Sequence, residues 1–145
     1  VSNEGPSAIL RDSGATACTD VTGFGLAGHL GEMLAGTGLA AELRLDALPI
    51  LAGACEVTEL GIASSLLPQN RAGALGIAGS PAFEKNPRHA LLFDPQPSGG
   101  LLAGIPAENA DACLAALHRA GFGASAAVGR VVAREPEPGP EIILA

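Results

Sequence analysis

Residues 17–29 read ACTDVTGFGLAGH, which places one aspartate, two threonines and three glycines just ahead of an apolar stretch. Gly23, Gly25 and Gly28 match the G-x-G-x-x-G spacing letter for letter. The run before them, 15–21, reads as a short buried strand. Leu26, Leu30, Met33 and Leu34 follow at helical spacing, with His29 and Glu32 pointing elsewhere and Gly36 and Gly38 as the stop. Asp46 lies about twenty residues on, at the end of the next expected strand, where a dinucleotide-binding fold keeps its ribose-binding acid. In that fold the pyrophosphate rests on the helix N-terminus.

The residues just before the glycines point another way. A dinucleotide strand is apolar up to its first glycine because it is buried on both faces. Here Thr19, Asp20 and Thr22 crowd that position. An aspartate there would set negative charge against a pyrophosphate. With a divalent cation between them the same carboxylate becomes useful, because Mg²⁺ takes one or two carboxylates together with phosphate oxygens. A third reading makes Asp20 a helix cap and gives the glycines to packing. Spacing alone leaves all three open.

Composition narrows the field. The chain has 145 residues, enough for one ordinary domain, and 48% of them are apolar. Four Phe and neither Trp nor Tyr leave a core of Ala, Leu, Ile and Val. The net charge of −7 and the lack of any Lys/Arg cluster exclude a nucleic-acid backbone as partner. No apolar run is long enough to span a membrane. Cys18, Cys55 and Cys113 are odd in number and far apart, which suits a reducing, cytoplasmic setting better than a disulfide framework or a zinc site. The chain opens on Val1 in a polar segment, and we read it as a piece of a longer protein.

Strand and helix patterns alternate along the rest, implying a layered α/β or α+β domain. Residues 7–14 are the last turns of a helix, 41–48 alternate as a half-buried strand, and Pro49 opens a helix that ends at Gly61. Residues 62–88 carry prolines and glycines throughout and read as a long excursion with at most one short helix, functional or mobile. Asn70 and Arg71 within it are candidates for contact with an anionic substrate. An amphipathic helix follows Pro106, with Ala110, Cys113, Leu114 and Leu117 on one stripe. Strands are expected at 101–105, 125–133 and 141–145. Cys18 reads as a buried structural thiol, and His89 and His118 as surface residues.

A second cluster, LLFDPQPSGGLL at 91–102, sets Ser98, Gly99 and Gly100 between two apolar runs taken as strands. Successive N–H groups there can face an anion, or the segment is a Pro/Gly turn. Taken together, ACTDVTGFGLAGHL and LLFDPQPSGGLL resemble the C-terminal half of the selenide, water dikinase (selenophosphate synthetase) family, within the wider group of aminoimidazole ribonucleotide synthetase-like proteins. The segments GIASSLLPQNR and GLLAGIP, and the trailing AVGRV, extend the resemblance over nearly the whole chain. Pro97 stands where that family usually has Thr, so any hydroxyl contact from that position is absent.

The resemblance implies a single domain over 1–145, with a mixed sheet and flanking helices. It implies an enzyme that makes selenophosphate from selenide, ATP and water with Mg²⁺, releasing AMP and phosphate. The ATP-binding half, with the reactive Cys or selenocysteine, would precede this chain and be its partner, and the full-length protein would be a homodimer. Asp20 maps onto the family's C-terminal metal ligand. Thr19, Thr22, Gly23 and Gly25 would line the phosphate end, with Ser98, Gly99 and Gly100 nearby. On this reading the chain alone is inactive. A binding or assembly domain with no chemistry of its own is the alternative from another class.

Overall fold

A computed structural model describes residues 2–74, 76–79, 81–136 and 139–145. Its larger sheet has four strands in the order β3 (Ile77–Ala78), β6 (Ile142–Leu144), β2 (Leu39–Leu43), β5 (Gly129–Ala133). β6 runs parallel to both β2 and β3, whereas β5 is antiparallel to β2. A separate antiparallel ribbon pairs β1 (Ala17–Asp20) with β4 (Leu101–Gly104). Helices flank both, so the fold is the mixed α/β layering that the strand and helix pattern implied.

The main core lies where α2 (Gly25–Leu34) packs on the sheet. Ala27, Leu30 and Leu34 recur at helical spacing and meet Ala41 and Leu43 of β2 and Ile142 and Leu144 of β6. Leu92 and Phe93 complete this layer and are almost wholly buried. A smaller core joins Leu10 of α1 (Glu4–Asp12) to Cys113 and Leu117 of α6 (Ala110–Arg119), over Leu101 and Ala103 of β4. The β1–β4 ribbon is thus held against α1 and α6, while α2 belongs to the main core. The 21–25 loop joins the two.

Several expectations need correction. β1 is exposed on most positions rather than buried, because its partner among the described residues is β4 alone. The helix expected from Pro49 begins only at Ala54, forming α3 (Ala54–Glu59). Gly53 at its N-cap has φ +87°, a left-handed conformation that stops the helix from extending upstream. The 62–88 excursion carries several short elements, although none of its described residues is buried. It holds α4 (Leu67–Gly73), β3, a 3₁₀ turn at Pro81–Lys85 and the start of α5 (Pro87–Leu91). Leu67, Ile77 and Phe83 from it pack on the main core. Its prolines begin elements instead of breaking them: Pro68 and Pro87 occupy first helical turns, and the Asn86 side chain accepts from the Arg88 N–H at 3.0 Å. The first apolar run of the 91–102 cluster, taken as a strand, is the end of α5 and a turn.

His89 is buried, against expectation, with its ring edge on Phe93 at a centroid distance of 5.4 Å. Burial lowers its pKa, helped by the charge of Arg71 and opposed by that of Glu84. As pH falls, the unfolded chain therefore takes up this proton before the folded chain does. The contribution to stability is complete above about pH 6.5 and is lost as pH falls through the lower folded pKa. We expect Tm to drop between about pH 7 and 5, and to drop less in His89→Gln. An unchanged profile in that variant would remove His89 as the cause.

Candidate functional site

The two glycine-bearing segments meet at the open end of the β1–β4 ribbon. Asp20 pairs with Leu101 in register, and the Val21 N–H donates to the Gly100 carbonyl at 2.9 Å. The Gln96 N–H donates to the Thr22 carbonyl at 2.9 Å. Gly99 lies so close to Val21 that a Cβ there would overlap the Val21 carbonyl oxygen. Gly25, with φ +72°, brings the start of α2 against the end of α5, where a Cβ would stand 2.7 Å from the Leu92 carbonyl oxygen. The Ala27 N–H then donates to that carbonyl at 2.9 Å. Gly23 and Gly100 have nothing within 4 Å of an added Cβ, so packing does not account for them.

Asn70 holds this junction together. Its amide donates to the Gly23 carbonyl at 2.8 Å and to the Phe93 carbonyl at 2.9 Å. Both donors are thereby engaged by the two loops. Asn70→Ala would leave two carbonyls without their donor and should destabilise the fold by about 1–3 kcal/mol. A Tm within error of wild type would show that the clamp carries no energy. Arg71, the next residue, is exposed, and its charge acts on His89.

Asp20 is exposed, and its carboxylate makes no hydrogen bond or ion pair to a described residue. It does not cap α2: the N-cap is Phe24, which makes no side-chain capping bond. The capping reading therefore fails on position. The dinucleotide reading fails on topology, because β1 lies in an antiparallel ribbon and β2 in another sheet, so β1, α2 and β2 form no parallel βαβ unit. Asp46 sits on a 3₁₀ turn, Leu45–Ala47, beyond β2.

Thr19 donates its hydroxyl to the Asp20 carbonyl at 3.2 Å. Thr22 Oγ1 lies 3.1 Å from Nε2 of His29, whose Nδ1 lies 3.1 Å from Oε2 of Glu32. His29 is 8% exposed, so it turns inward, and the exposed ring of Phe24 tilts over it at 5.5 Å. The i, i+7 spacing of Thr22 and His29 was the one available signal for this contact. Ser98 is exposed, and Gln96 binds the Asp94 carboxylate at 3.0 Å. Cys18 is exposed rather than buried, and its thiol pKa is raised by partial burial and by the charge of Asp20. Both effects disfavour a reactive thiolate. His118 is on the surface, with Nε2 at 2.8 Å from the Ser125 carbonyl.

Among the described residues no cluster of three or more His, Cys, Asp or Glu could enclose a metal ion. The oxygen donors of Asp20 and the neighbouring threonines do suit a hard cation that takes its remaining ligands from phosphate, water or another segment. No helix is long and apolar enough to cross a membrane among the described residues.

A mixed α/β domain with two glycine loops joined beneath a single free carboxylate is the class of structure these observations define. The chain belongs to the family described as AIR synthase related protein, C-terminal domain, which it matches over residues 4–137. Curated relatives carry the name selenide, water dikinase. The protein of Caldanaerobacter subterraneus is 37% identical over 130 residues, covering 89% of this chain and 37% of its own length. That of Burkholderia pseudomallei is 41% identical over 135 residues, covering 90% and 37%. A Shewanella baltica protein is 46% identical over 109 residues, covering 75% and 30%. The chain thus spans 30–37% of the length of these relatives. The resemblance first drawn from the two glycine segments holds.

Proposed function

We propose that this chain is the C-terminal, cation-holding part of a selenide, water dikinase, which makes selenophosphate from selenide, ATP and water and releases AMP and phosphate. The observation that carries the reading is the junction of TDVTGFG with DPQPSGG, which leaves the Asp20 carboxylate free at its mouth. Asp20 would hold Mg²⁺, which when bound screens charge on the transferring phosphoryl group. The N–H groups of Gly23 and Phe24 make no backbone hydrogen bond to a described residue. They stand at the start of a helix, where anions are favoured, and suit the phosphate oxygens. Arg71 and Ser98 are exposed groups for the same anion.

The remaining metal ligands, the nucleotide loop and the reactive residue would come from an N-terminal ATP-binding half of the same polypeptide. An apolar surface supports such a partner: Leu51, Leu60 and Ile62 are 80%, 76% and 60% exposed around α3, with Val57 and Leu66 beside them. A cytoplasmic homodimer is the assembly this reading expects. The test is turnover. The full-length polypeptide should form AMP and phosphate from ATP only when selenide and Mg²⁺ are present, and the 145-residue chain alone should form neither. Selenide-independent ATP consumption, or turnover by the chain alone, would refute the assignment.

A further inference from the structure

The Thr22–His29–Glu32 chain has a direction set by the tautomer of His29. An ionised carboxylate only accepts, so Nδ1 of His29 carries the hydrogen toward Glu32 across 3.1 Å. A neutral imidazole has one N–H, which leaves Nε2 as an acceptor at 3.1 Å from Thr22 Oγ1. In that tautomer the Thr22 hydroxyl donates inward. Burial of the ring and the Phe24 cover hold that geometry, and each bond polarises the next. What Thr22 offers outward is lone-pair density without a proton. Such an oxygen suits a hard cation or a water bound to one. It has nothing to donate to a phosphate oxygen.

We propose that His29 is a positioning residue: held by Glu32, it converts Thr22 into an acceptor that serves the cation beside Asp20 instead of a donor to phosphate. Anion contact then falls to the loop N–H groups. The inference rests on the dikinase reading for the identity of the cation, but the hydrogen-bond order does not.

Two measurements separate these parts. Histidine ¹⁵N NMR of the chain near neutral pH should show His29 as the Nδ1–H tautomer. Glu32→Ala, at a site 63% exposed and so safe for the fold, should lose that preference. An Nε2–H tautomer in the wild type would overturn the proposal. In the full-length polypeptide, Glu32→Ala and Thr22→Val should each raise the Mg²⁺ concentration for half-maximal rate by about tenfold, the scale of lost second-layer support at metal sites. The KM for ATP should move far less, and Thr22→Ser should restore the Mg²⁺ dependence. A raised KM for ATP with unchanged Mg²⁺ dependence would return Thr22 to the phosphate and overturn the proposal. If Asp20→Asn is also without effect on Mg²⁺ dependence, the cation role of Asp20 falls, whatever the tautomer, while selenide-dependent turnover would leave the dikinase reading standing.

Discussion

Asp20→Asn in the full-length polypeptide should lower kcat by more than about a hundredfold, because supporting residues one layer removed from a metal already cost 10–100-fold. The side chain keeps its size and loses its charge, and Mg²⁺ binds anionic oxygen in preference to an amide. Stability should stay within about 0.5 kcal/mol, since the carboxylate is exposed and makes no bond that Asn would break. The combination matters more than either number. A large kinetic loss with an unchanged Tm separates cation binding from folding. Near-normal turnover at saturating Mg²⁺ would take the metal role away from Asp20.

The second large effect concerns the glycines that join the loops. In Gly25→Ala the new methyl would stand 2.7 Å from the Leu92 carbonyl oxygen, at a φ of +72°. The left-handed conformation costs about 1–2 kcal/mol for an L-residue. Forcing backbone apart in a packed region adds roughly 1–3 kcal/mol. A loss on the order of 2–5 kcal/mol, or roughly 6–20 °C in Tm, is expected. Gly99→Ala should act on the other side of the junction, because its methyl overlaps the Val21 carbonyl and the main chain must move. That movement displaces Asp20, one residue before Val21, so Gly99→Ala should lose activity as well as stability. Gly23→Ala is the control, with open space at its Cβ. Equal stability losses at Gly23 and Gly99 would contradict the packing argument.

Much of this was legible in the sequence because it rests on local rules. Helical spacing located α2 and α6, and the two glycine segments marked the site, whereas alternation put at 41–48 a strand that is Leu39–Leu43 with a 3₁₀ turn at Leu45–Ala47. What could not be read depended on partners distant in the chain. Pro68 and Pro87 looked like breakers, yet each sits where a missing N–H costs nothing, and only the tertiary course shows which. Asn70 looked like a ligand for an anion because it is polar and lies among turns. Its partners are carbonyls of Gly23 and Phe93, which no spacing rule connects to it. His89 was read as a surface residue, but it packs on an aromatic edge. Cys18 erred the other way: an apolar run predicts burial only if both faces of its strand are covered, and β1 is covered on neither for most of its length.

The most direct test of the account is the position of the cation. In crystals of the full-length polypeptide with Mn²⁺ in place of Mg²⁺ and a non-hydrolysable ATP analogue, an anomalous peak should lie about 2.0–2.3 Å from an Asp20 carboxylate oxygen and bridge to a phosphate oxygen. A peak elsewhere, with the Asp20 carboxylate facing solvent, would contradict it.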